Sequence, residues 1–298
     1  MKIYLKSKIV ITSLTMLLLI SIISGAMTGS FSYAHAAAIA RSFGHAHTTL
    51  IAPSLGTAAN FAVLGAATVT NTGETSLVGN LGVNPGTSCT GFVAPCTGGP
   101  GIVSGTIHAA DPVTAQAQTD ASSAYSLAFA QACTTTFPPI TDIGGMILTP
   151  GVYCFPSSAG VTGALTLDAQ NNPNAAFIFR IGSTLITASA STVVLINGAQ
   201  PSNVFWQVGS SATLGTTTNF AGSIVALASI TVTTGATSNC GLYALNGAIT
   251  LDSNTIQICS SPCQKTQCCS VSTSRMSAIL YRQSACGSNK PSVSLLLR

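Results

Sequence analysis

The chain has 298 residues, of which 47 % are hydrophobic and only 5 % charged. Its formal net charge of +4 comes from the ends: between Ser54 and Cys259 one basic residue, Arg180, stands against Glu74, Asp111, Asp120, Asp142, Asp168 and Asp252, a balance of −5. A surface for nucleic acid or an anionic membrane needs clustered Lys and Arg, so both are excluded as partners of that region, whose polar surface must consist of hydroxyls and amides.

At the N-terminus, Lys2, Lys6 and Lys8 precede an apolar run from Ile9 to about Ile23, and small residues then lead to Ala34-His35-Ala36. This is the layout of a secretory signal peptide, residues 1–36, with cleavage near Ala36. A membrane anchor would need about 20 uninterrupted apolar residues, and Ser13, Ser21, Ser24 and Gly25 break the run. The expected location is therefore secreted and extracellular, where cysteines can pair. Residues 37–53 lack periodicity and read as a linker, and one domain is expected over 54–259.

Within it, Asp111-Pro112 reads as a helix start, with a capping carboxylate followed by a proline at the first helical position. Val113, Ala117, Ala121, Ala124, Leu127 and Ala128 recur at three- and four-residue spacing through about Ala132. That narrow, mostly Ala stripe predicts one helix lying close against a sheet.

The segments Phe179–Thr187, Trp206–Leu214, Val225–Thr233 and Tyr243–Leu251 each hold an apolar run, a small or Gly corner and an alternating strand, with starts offset by 27, 19 and 18 positions. Repeats of this size predict rungs of a solenoid, each unable to bury its apolar side alone. Alternation along Ile230-Thr231-Val232-Thr233 would send the aliphatics inward and both threonines outward, and would turn Thr250 outward between Ile249 and Leu251. Crowded β-branched residues argue against helices here.

Residues 260–298, with Cys263, Cys268, Cys269 and Cys286 among scattered Lys and Arg, show no clear alternation and read as a disordered tail. They carry no sorting motif or anchor, which favours free secretion over attachment to a cell surface.

Catalysis finds no support. Sugar-cleaving solenoids need a poised carboxylate pair or a basic residue, whereas Asp111 reads as a cap, Asp168 and Asp252 as turn residues, and Arg180 stands alone. His108 is the one histidine of the domain and no Cys or His spacing matches a metal site, so neither metal nor cofactor is expected. Six of the ten cysteines lie in the domain. Cys89 with Cys96 is the easy local loop; Cys133 with Cys154 and Cys240 with Cys259 are plausible neighbours among several possible pairings.

The stretches Leu55–Gly65, Val69–Gly73, Gly79–Gly86, Leu148–Tyr153 and Gly247–Ile256 together resemble, in order, the ice-binding-like family, which includes antifreeze proteins of cold-living bacteria, fungi and algae. The resemblance covers nearly all of residues 54–259. It implies a mostly β fold, an irregular right-handed β-solenoid of triangular cross-section with one long helix alongside. It further implies a monomer that adsorbs to ice crystals through one flat β-face and inhibits ice growth and recrystallisation. The alternative is an adhesive or structural cell-surface module on the same scaffold.

Some family members carry Thr-Ala/Gly-x-Thr/Asn on the ice face. That pattern occurs at Thr57–Asn60, Thr72–Thr75 and Thr234–Thr237. Rungs spaced about 4.7–4.9 Å apart, with outward residues every ~6.6 Å along a strand, would set threonines on a rigid grid for ordered water. The expected face comprises Thr184, Thr187, Thr213, Thr216, Thr218, Thr231, Thr233, Thr234, Thr237 and Thr250.

Overall fold

The computed structural model describes residues 50–259. The signal-peptide and tail readings lie outside the described residues, as does most of the linker. The domain is a stack of parallel rungs in which the chain turns through three β-faces.

The first face has nine strands, in spatial order Ile107–Ala109, Asn80–Val83, Phe61–Gly65, Leu242–Ala244, Ser223–Ala226, Val204–Val208, Phe177–Ile181, Gly151–Phe155 and Thr135–Thr136. The second and third faces form one 16-stranded sheet, continuous where Ser88–Phe92 pairs with Thr97–Val103. Rung order is not chain order. The first rung lies mid-stack, the next ones build towards one end, and a single helix leads to the other end, from which the chain winds back until Leu242–Ala244 pairs with Phe61–Gly65.

That helix, α1 (Pro112–Ala130), begins as expected: the Asp111 carboxylate accepts from the Thr114 amide at 2.8 Å and the Thr114 hydroxyl accepts from the Asp111 amide at 3.1 Å. At 1.5 Å per residue its 19 residues run about 28 Å, the height of some six rung spacings. Ala117, Ala121, Ala124 and Ala128 pack on Leu64, Val152, Ile178, Phe205, Val225 and Tyr243 of the first face. Two stripe assignments are corrected. Val113 and Leu127 are exposed while Thr114 is buried, because only the narrow line of small residues meets the sheet. The helix ends at Ala130, before Ala132, where Gln131 turns extended and the chain leaves to bring Cys133 to Cys154.

The inside of the stack is filled by aliphatic side chains and a row of rings. Phe137, Tyr153, Phe179, Trp206 and Phe220 follow one another at centroid distances of 6.1, 5.5, 3.8 and 5.0 Å. The glycine corners of the repeats have a steric cause: a β-carbon on Gly209 would lie 2.4 Å from the Gly182 carbonyl oxygen of the rung below. The repeat alignment needs one shift. Trp206 pairs with Ile224, not Val225, so the first-face offsets are 18 and 18. On the second face Thr213, Thr231 and Thr250 are offset by 18 and 19, because the corner before Ile249 holds one residue more. The cysteine pairs are Cys89–Cys96, Cys133–Cys154 and Cys240–Cys259.

Candidate functional site

Helix α1 covers the first face and buries its outward side chains. On the third face two successive strands, Asn219–Phe220 and Thr237–Ser238, have only two residues each, and Val78, Ile102 and Ile147 stand exposed on strands further along that face. Asp168 adds a carboxylate there, bonded to the Asn197 amide at 2.8 Å.

The second face is more regular. Thr90, Thr70, Thr250, Thr231 and Thr213 are successive partners in five adjacent parallel strands, and Ile186 continues the column. Two positions earlier in each strand a parallel column runs through Ser88, Thr68, Ala248, Ser229, Ser211, Thr184 and Ser158. Thr184 donates to the Ser158 hydroxyl at 2.8 Å. Between the columns, Val69, Ile249, Ile230, Ala212 and Leu185 point inward and are buried. The alternation of branched aliphatics with small hydroxyl residues therefore anchors each outward threonine on a packed core, and the spacing of the columns follows from backbone geometry.

Of the residues expected on one face, Thr213, Thr231 and Thr250 share a column and Thr184 belongs to the second column. Thr187 and Thr218 do not reach the surface: they are 3 % and 1 % exposed, their hydroxyls lie 2.8 Å apart, and Thr187 accepts the Gly215 amide at 2.8 Å. Leu185 points into the core, so alternation turns Ile186 out and Thr187 in. Thr216, Thr233 and Thr234 sit at the corner between the second and third faces. There the Thr233 hydroxyl donates to the Leu214 carbonyl at 2.8 Å and the Thr234 hydroxyl to Asp252. Thr237 is on the third face, paired with Asn219 and Thr255.

None of the three Thr-x-x-Thr/Asn matches forms part of the ladder. Thr57–Asn60 lies within a short 3-10 helix, Gly56–Asn60, tied to α1 by Thr57 and Asp120 at 2.7 Å. Thr72–Thr75 rounds a corner with Thr75 buried, and Thr234–Thr237 is a turn with Gly235 at φ +72° and Ala236 buried. Sequence reasoning missed Thr68, Thr70, Thr90, the serine column and Ile186. The alternation of Thr68-Val69-Thr70 was a usable signal, but it does not reveal which rung lies beside it.

Charge is sparse on this face. Asp142, on its last strand, pairs with Gly160, and its Oδ1 accepts the Gly144 and Thr162 amides at 2.8 and 3.0 Å. Burial acts to raise the Asp142 pKa, but the Thr162 side chain and these amides outweigh it and hold the group below the usual value. Among the described residues no cluster of His, Cys, Asp and Glu could hold a metal ion, and no helix is long and apolar enough to cross a membrane.

The fold is a three-faced solenoid that covers one face with a helix and sets neutral hydroxyls and methyls at backbone spacing on another. The chain belongs to the ice-binding-like family, whose model matches residues 63–257. It is 53 % identical to an ice-binding protein of Nostoc sp. (strain HG1) over 201 residues, 67 % of this chain and 72 % of the relative. Among solved structures it resembles an ice-binding protein from an Antarctic biological consortium, at 44 % identity and a TM-score of 0.66 over 70 % of this chain and 92 % of the other. An ice-binding protein from the Antarctic ascomycete Antarctomyces psychrotrophicus gives 38 % identity and the same TM-score, covering 70 % and 98 %. The family and these relatives are ice-binding proteins, not enzymes.

Proposed function

We propose that the protein is secreted, adsorbs to ice through its second face, and thereby slows ice growth and recrystallisation. One observation carries this reading: five threonines from five adjacent strands fall in one register, beside a second column of small, mostly hydroxyl side chains. Stacked strands repeat every ~4.8 Å, so the hydroxyls form a fixed array. A threonine hydroxyl donates one hydrogen bond and accepts up to two, so like a lattice water it acts in both senses, while its methyl restricts neighbouring water. Export rests on the basic, apolar and small-residue pattern of residues 1–36.

The test is to grow an ice hemisphere in a solution of the fluorescently labelled domain. Adsorption concentrates label in the ice. Exclusion of the label would reject the reading and leave the adhesive module as the better account of the scaffold.

A further inference from the structure

We infer that the ice-docking footprint, which presupposes the function proposed above, ends at the rung of Thr184 and Ile186, and that Gly160 and Asp142 form its boundary. From Ser88 and Thr90 to Thr184 and Ile186, six rungs present uncharged side chains at both outward positions. On the next rung the positions are Ser158 and Gly160, so the threonine column loses its side chain. On the last they are Ile140, 81 % exposed, and Asp142.

A carboxylate accepts hydrogen bonds only. Every water around Asp142 must therefore turn a hydrogen towards it, whereas water in a lattice needs donors and acceptors on all sides. The carboxylate cannot swing clear, because the Gly144 and Thr162 amides hold Oδ1. The two sides of the second face are thus unequal: beyond Ser88 and Thr90 the sheet continues with Thr97, the uncharged register partner of Thr90, whereas the other side has a gap, a fixed charge and a protruding aliphatic.

The boundary is not imposed by the backbone. Gly160 lies in a regular strand, and a β-carbon there would come no nearer than 3.6 Å to Asp142, an ordinary contact. Position 160 therefore admits a β-carbon, and a threonine there would continue the column. Asparagine at position 142 keeps an Oδ1 acceptor for both amides, removes the charge and adds donors.

Ice uptake at equal protein concentration is compared for wild type, Asp142→Asn, Gly160→Thr and the double variant, with circular dichroism melting to confirm the fold. The double variant is expected to raise uptake at least about twofold, a change equivalent to only ~0.4 kcal/mol of adsorption energy, with Asp142→Asn alone giving part of the gain. Should Gly160→Thr fail to fold, Asp142→Asn carries the test. Folded variants with unchanged or lower uptake overturn the boundary. Thr231→Tyr serves as the control: if it too leaves uptake unchanged, the docking face itself is wrong, a failure distinct from that of the boundary.

Discussion

Thr70 and Thr250, 180 positions apart in the chain, lie side by side on adjacent parallel strands of the second face. The pairing joins the first rung of the domain to the last one formed, and the threonine ladder runs across that seam. Thr90 and Thr70 come from the N-terminal rungs, Thr250, Thr231 and Thr213 from the C-terminal ones. The candidate site is therefore complete only when the two ends of the domain have closed on each other.

Thr187 is expected to matter for stability and not for ice. Thr187→Val removes the acceptor of the part-buried Gly215 amide and one of two partners of the Thr218 hydroxyl, which keeps the Ala188 carbonyl. Leaving such an amide unsatisfied costs about 1–3 kcal/mol. Urea denaturation should show that loss, while ice uptake below the melting transition stays at the wild-type level.

The cap of α1 should make the fold acid-sensitive. The Asp111 pKa is held at about 2, against an ordinary 3.8, chiefly by the Thr114 backbone amide; burial opposes this, and His108 and the Thr114 hydroxyl add to the lowering. Because the folded value is the lower one, the contribution is complete above the ordinary value and is lost as pH falls from about 4 through 2. Asp111→Ala should lower stability at neutral pH by about 0.5–2 kcal/mol. Melting curves taken between pH 5 and 2 should then show a smaller difference between variant and wild type as the pH drops.

Trp206 is the fourth of the five rings in the row, stacked 3.8 Å from Phe179, with its indole N–H donating to the Ala221 carbonyl at 3.0 Å. Trp206→Ala should cost about 3–5 kcal/mol, read from chemical denaturation followed by far-ultraviolet circular dichroism. Loss of the ring opens the core beneath the middle rungs and should reduce ice uptake only to the extent that it unfolds the domain.

Much of this architecture is legible in local sequence. The Asp111-Pro112 start of α1, the rung period and the outward threonines of Ala212–Leu214, Ile230–Val232 and Ile249–Leu251 all follow from capping and from two-residue alternation. Where three candidates for the interior stand in a row, as in Leu185-Ile186-Thr187, alternation leaves its phase undetermined, and packing against Ala212 decides it. Corner threonines such as Thr216 and Thr234 look like strand residues until the turns are known. The neighbours of Thr70 could not be read locally at all, since its rung is completed by strands from the far end of the domain. The same absence of local information displaced the repeat alignment at Val225 by one residue.

The central claim is that the second face, and not its neighbour, meets the ice. Ice uptake by Thr231→Tyr, in the middle of the ladder, set against Thr237→Tyr on the third face, tests it most directly, both variants being checked for an unchanged melting temperature. The account expects the first to be excluded from the growing crystal and the second to be taken up like wild type. Equal uptake by the two, or exclusion of the Thr237 variant alone, would contradict it.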